Sequence, residues 1–346
     1  FFSSVSFFVY FFLISLHAIR RMWQSTTCFY TVWCYCSLPI ILILIFPYGS
    51  VNGGTNFEVN REEFITKFVA ADTDFQAWCV ETLKGEQSDG AKGSQQGQDA
   101  FVFWNVFAHR HHSGWKGFYI ESGANHWKTF SNTLFYDKCL GWQGLCIEPT
   151  RTFHRGIKKN RSCKLIPALI TAKHEELTFM DDGLGGTVVK RGTKSGSYGG
   201  VMQKVKTVPG LPLKAMLKQV GRTHVDFWSL DVEGHELVVL GAVDWEATTF
   251  TAVLVEDYHI SMRELDYMLT MHGLDKRHQL TSDSLYVVRE APFPKKPWYH
   301  TKHVEWWEHH IPKCASDFCH TQRNDTLPPW LDPTGKGPDA QSKGKK

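Results

Sequence analysis

The chain has 346 residues, enough for one large domain or two small ones. A hydrophobic content of 42% suits a packed core, and 38 Lys plus Arg against 35 Asp plus Glu leave a net charge of only +3. That balance excludes an electrostatic case for nucleic acid as a partner.

Residues 1–57 form an apolar region. The first 19 are almost wholly apolar, Arg20 and Arg21 follow, and no charged residue occurs from Met22 to Phe57. Residues 27–48, with IILILIF at 40–46, supply the roughly 20 apolar residues that a bilayer-spanning helix needs, although Pro39 interrupts them. The region reads as a signal peptide starting at Met22, cleaved near Gly49, Ser50 or Gly53, or as an uncleaved membrane anchor. A buried core helix is the alternative. The expected location is the secretory pathway, either membrane-anchored in the Golgi or ER or secreted. Two glycosylation triplets fit it, Asn160-Arg161-Ser162 and Asn324-Asp325-Thr326. So do six cysteines beyond the apolar region, an even number compatible with disulfides: Cys79, Cys139, Cys146, Cys163, Cys314 and Cys319. No Cys or His spacing is that of a zinc site, and no metal is expected.

Residues 58–94 read as helix and linker, with a helix over 61–82 and a Gly/Gln/Ser-rich link over 85–98. From 95 to 290 strand and helix signals alternate. Strands are expected at 117–122, 142–147, 164–170, 225–230, 250–255 and 284–289. Helices are expected at 127–140, 151–159, 211–220, from 234 and at 261–271. A Gly-rich excursion spans 181–200. This alternation predicts an α/β fold with a mainly parallel sheet covered on both faces. Residues 291–346 read as an extended appendage with a disordered basic end.

In such a sheet, ligands bind beyond the carboxyl ends of the strands. The first strand ends in Glu121, Gly123, Ala124 and Asn125, where a glycine permits a tight turn and close approach of a ligand. The second ends in Glu148, about 20 residues on, where a carboxylate can bind ribose hydroxyls. Two further strands end in Asp231, Glu233 and in Glu256, Asp257. Each carboxylate alone could serve a helix N-terminus. Four together at one edge point to a cleft that uses them. A nicotinamide dinucleotide would require a G-x-G-x-x-G turn for its pyrophosphate. Residues 123–127 (GANHW) contain one glycine, which fits a cofactor without phosphate, as S-adenosylmethionine is.

These motifs, in order, resemble the FkbM-type methyltransferases over about residues 95–290. The matching segments are Gln98-Asp99, GFYIESGAN at 117–125, Ser131 to Leu134, LGW at 140–142, IEP at 147–149, and FWSLDVEGHE at 227–236 with VLG at 239–241. The resemblance implies a seven-stranded, mostly parallel Rossmann-like methyltransferase sheet and S-adenosylmethionine as methyl donor. It implies that Glu121, Gly123, Ala124, Asn125 and Asn132 line the cofactor, that Glu148 holds its ribose, and that Asp231 and Glu233 stand beside the transferred methyl. Many relatives carry a second glycine where Trp127 stands.

An oxygen nucleophile must lose its proton, and His259 is the expected base, with His235 second. The resemblance allows a sugar, lipid or small-molecule hydroxyl as acceptor, in a pocket expected to involve 181–200 and the aromatics Trp298, Trp306 and Trp307. Two other readings stay open: an anchored glycosyltransferase whose Asp231-x-Glu233 holds a metal, and a non-catalytic secreted binding module on the same fold.

Overall fold

The computed structural model describes residues 59–86, 93–111, 114–181, 185–198 and 201–299. The expected apolar segment 1–57 and the tail from 300 onward, with Trp306, Trp307, Cys314 and Cys319, lie outside the described residues. Among the described residues no helix is long and apolar enough to cross a membrane.

The single helix expected over 61–82 is divided. Helix α1 (Arg61–Lys67) is capped by Asn60. A 3-10 turn (Thr73–Phe75) capped by Asp72 then leads into α2 (Gln76–Lys84), which Gly85 closes in a left-handed conformation. Helix α3 (Gln98–Val102) continues through a π-helical turn (Phe103–Phe107) into α4 (Ala108–His111). Every residue of α3 and the π turn is buried.

The remaining elements are β1 (Phe118–Ser122), α5 (Leu134–Lys138), β2 (Gln143–Ile147), α6 (Arg151–Asn160), β3 (Lys164–Ile166), β4 (Leu169–Ile170), β5 (Glu175–Asp181), β6 (Thr187–Val188), β7 (Gly196–Tyr198), β8 (Val201–Leu211), α7 (Leu213–Lys218), β9 (His224–Leu230), α8 (Glu236–Gly241), β10 (Thr249–Glu256), α9 (Met262–Met271), β11 (Leu274–Gln279) and β12 (Asp283–Val288). Seven strands form one sheet in the order β11-β12-β10-β9-β1-β2-β3.

The sheet is mixed rather than mostly parallel. Strands β3, β2, β1, β9 and β10 pair in parallel, but β12 runs antiparallel to both β10 and β11. Only residues 280–282 join β11 to β12. A link that short makes a hairpin, because a parallel crossover needs a dozen residues or more.

Alternating side chains of the central strands enter two cores. Tyr119, Phe227, Ala252 and Leu254 face one core, which includes Phe64, Trp78, Phe103, Phe107 and Phe135 from the helical side. Phe118, Ile120, Trp228, Val253 and Val255 face the other, against Leu213 and Met216 of α7, Leu240 of α8 and Leu265 and Leu269 of α9. Helices therefore cover both faces. Near-continuous apolar runs such as TAVLV in β10 follow from burial on both sides.

The Gly-rich excursion belongs to a second sheet, ordered β4-β8-β5-β6 with β7 on β8. Strands β5 and β8 form a long antiparallel ladder from Glu175↔Gly210 to Asp181↔Lys204. The strand expected at 164–170 is split at Pro167, which has no N–H to give a ladder: β3 stays in the main sheet and β4 joins the second. The helix expected at 127–140 shrinks to α5, because residues 123–133 are tied to the strand ends.

Candidate active site

The parallel strands stop level with one another. Ser122 pairs with Ile147 and with Leu230, and Leu230 with Val255. The next residues, Gly123, Glu148, Asp231 and Glu256, therefore stand along one edge. They line a cavity of about 680 Å³.

Gly123 has φ +74, and a Cβ there would meet the Asp231 carbonyl oxygen at 1.8 Å. Only glycine fits where the loop after β1 passes the end of β9. Gly123 and Ala124 both donate their N–H to the Ile147 carbonyl, at 3.1 and 3.2 Å. Among the described residues three non-glycines have positive φ, namely Asn125 at 43°, Phe130 at 61° and Glu233 at 56°, and all three line the cavity. Backbone strain of this kind concentrates at functional sites.

Glu148 is buried. Its Oε2 accepts the Asn125 N–H at 2.7 Å and its Oε1 the Thr150 N–H at 2.5 Å. Burial raises its pKa and these backbone bonds oppose the rise. A carboxylate has about four acceptor positions, so two remain beyond these bonds.

Glu121 also borders the cavity, but its oxygens are engaged from behind. Ser131 Oγ donates to them at 2.8 and 3.0 Å, Thr133 Oγ1 at 3.0 Å, and Arg161 Nη1 at 3.0 Å. Asn132 gives its Nδ2 to Ser229 Oγ at 3.0 Å, while its buried Oδ1 has no partner among the described residues. That oxygen is an acceptor awaiting a donor.

Asp231 and Glu256 hydrogen-bond each other through their carboxyl groups. Burial, then the charges of Glu256 and Glu233, hold Asp231 well above the ordinary carboxylate range. Burial pushes Glu256 up to about 7. Asp283, paired with Glu256 across β10 and β12, accepts the Gln98 Nε2–H at 3.0 Å, and burial raises it to about 7.

The cavity thus brings together Glu121, Gly123, Ala124, Asn125, Asn132, Glu148, Asp231 and Glu233. It does not include His259. Asp257 is pinned inward by Ser284 Oγ and by Gln279 Nε2, and the turn after it carries Tyr258 and His259 to the surface. His235 does line the wall. Trp127 leaves the cavity open, because its ring packs on α6 over Gly156, where an added Cβ would meet Cδ1 at 2.9 Å. Of the expected acceptor-pocket segments, Gly186, Thr187 and Val188 line the cavity. Trp298 does not: its N–H donates to Asn105 Oδ1 at 2.7 Å and its ring packs near Trp104.

Sequence reasoning missed Arg161, Asp283 and Glu236. Arg161 lies in a basic stretch after α6, and Asp283 in a polar turn, so neither carries a local signal. Glu236 was visible only as part of the block at 227–236.

A doubly covered open sheet, with a one-glycine turn after its first parallel strand and a carboxylate ending the next, is the arrangement of a Rossmann-like nucleoside-binding domain. The family profile described as Methyltransferase FkbM domain matches residues 105–278, about half of the chain. The chain belongs to the FkbM methyltransferase family and is a methyltransferase. Compared with curated proteins, it matches none.

Proposed function

We propose that the protein transfers a methyl group from S-adenosylmethionine to a hydroxyl oxygen of a sugar, lipid or other small-molecule acceptor. The observation that carries this reading is the charge of the cavity. Among the described residues, seven acidic side chains line it (Glu121, Glu148, Glu175, Asp231, Glu233, Glu256 and Asp283), with no Lys or Arg. Such a wall suits a cationic ligand.

The donor set fits the cofactor. The free acceptor positions of Glu148 suit the ribose hydroxyls, and the unpartnered Oδ1 of Asn132 suits the ammonium. Gly123 lets the ligand approach the backbone. When bound, S-adenosylmethionine supplies an activated methyl on a sulfonium. The chain's own task is then alignment and exclusion of water. Asp231, at the end of β9, accepts the hydrogen bond of the acceptor hydroxyl and fixes its direction. Phe179, Leu177 and Val188 of the second sheet close the far wall against solvent.

We also propose that the protein works in the secretory lumen or outside the cell. Support comes from the buried Cys79–Cys139 and Cys146–Cys163 disulfides, which need an oxidising compartment to form and persist.

Isothermal titration of S-adenosylmethionine and S-adenosylhomocysteine into the full chain tests the cofactor. Micromolar binding is expected, and Glu148→Ala, still folded by circular dichroism, loses it. A folded wild-type protein that takes up neither ligand overturns the reading.

A further inference from the structure

Asp231 and Glu256 end neighbouring parallel strands whose preceding residues, Leu230 and Val255, are register partners. Glu236 opens α8 just after β9 and turns back toward them. One oxygen from each of these three carboxylates lies within 4.8 Å of the others. Glu236 is 1% exposed. Its Oε1 accepts the N–H groups of Val232 and Gly234 at 2.8 and 3.2 Å, and its Oε2 has no partner among the described residues. The three form no salt bridge among the described residues.

Asp231 and Glu256 are half-buried and share a hydrogen bond, while Glu236 is buried with a bare oxygen; a cation would answer the negative charge that this hydrogen bond leaves. Glu236 is not needed as a helix cap alone, since its Oε1 already meets the turn's amides.

We propose that Asp231, Glu236 and Glu256 form a site for a hard divalent cation at the floor of the cavity. An all-carboxylate set suits such ions. Ligand oxygens stand about 2.3–2.6 Å from Ca²⁺ and about 2.0–2.1 Å from Mg²⁺. Oxygens up to 4.8 Å apart close in by a few tenths of an ångström around calcium and by more around magnesium. Two of the three ligands line the cavity, so the ion keeps open positions toward it for an oxygen of water or of an acceptor. The ion-binding claim stands apart from the methyl-transfer reading. Only its contact with an acceptor oxygen rests on that reading.

The test is titration of Mn²⁺ into the full chain, freed of metal by chelation and followed by the loss of the free-ion paramagnetic resonance signal. One Mn²⁺ per chain is expected, displaced by excess Ca²⁺. Glu236→Gln retains the oxygen that meets the Val232 and Gly234 amides and replaces only the bare one. It and Glu256→Gln each weaken Mn²⁺ at least about tenfold, whereas the surface change Glu246→Gln leaves affinity unaltered. Thermal melting confirms that each variant is folded. No Mn²⁺ uptake by the wild type, or equal uptake by Glu236→Gln and Glu256→Gln, overturns the proposal. S-adenosylhomocysteine titration of the same samples separates the two ideas: a protein that binds it but takes up no Mn²⁺ has the cofactor site without the ion.

Discussion

Arg161 holds the loop after β1 in place. Its guanidinium is buried and binds Asp137 at 2.7 Å, Thr133 Oγ1 at 2.7 Å, Glu121 at 3.0 Å and the Trp127 carbonyl at 3.3 Å. One cation thereby answers two buried carboxylates, so Glu121 can face the cavity without repelling the rest of its own loop. Asp99 has no such cation. Ser94 and Ala100 donate to its Oδ1, its Oδ2 lacks a partner among the described residues, and burial raises its pKa to about 6. A folded-state value above the unfolded 3.8 means that the folded protein keeps a proton the unfolded chain has released. Stability therefore falls as pH rises from about 4 to about 6 and is level beyond, a span of about 3 kcal/mol. Urea denaturation across that range should show a shallower decline in Asp99→Asn. An unchanged slope would mean that Asp99 ionises normally in the folded protein.

At the scale of elements, the strand-end loops make the site, and they accept little change. In Gly123→Ala the new methyl collides with the Asp231 carbonyl in a backbone region that alanine avoids. We expect loss of S-adenosylhomocysteine binding and a drop in melting temperature, and normal values for both would show that the loop can move aside. These loops were legible because their residues follow strands recognisable from composition alone: GFYIES, LCI, DFWSL and TAVLV. The cofactor turn, Glu148 and Asp231 could be read from position. The second sheet was not read, because β5 and β8 lie on either side of the Gly-rich segment 181–200, whose glycines signal loop, and nothing local shows that they pair across it. The antiparallel end of the main sheet was hidden for a similar reason: β11 is LDKRHQ, with one apolar residue. His259 falls outside the cavity lining because the sequence shows where a strand ends but not which way the following turn points.

At the largest scale, the described residues build two cores on either side of the main sheet, and the two disulfides among them lie on one side. Cys79–Cys139 ties α2 to the end of α5, and Cys146–Cys163 ties β2 to the approach to β3. With separations of 60 and 17 residues, the two bonds restrict the unfolded chain by about 4 and about 3 kcal/mol. Reduction, or serine pairs at either bridge, should lower the urea midpoint, more for Cys79 with Cys139. A midpoint indifferent to reductant would show that the packed core alone sets stability.

The shorter bridge has another consequence. Between Cys146 and Cys163 lie Glu148, all of α6 and Arg161. When every strand and helix has melted, these residues still belong to a small covalent ring. The carboxylate expected to grip ribose and the cation that anchors the neighbouring loop never drift far apart. A chain that refolds with its bridges intact begins with one corner of its binding site already gathered.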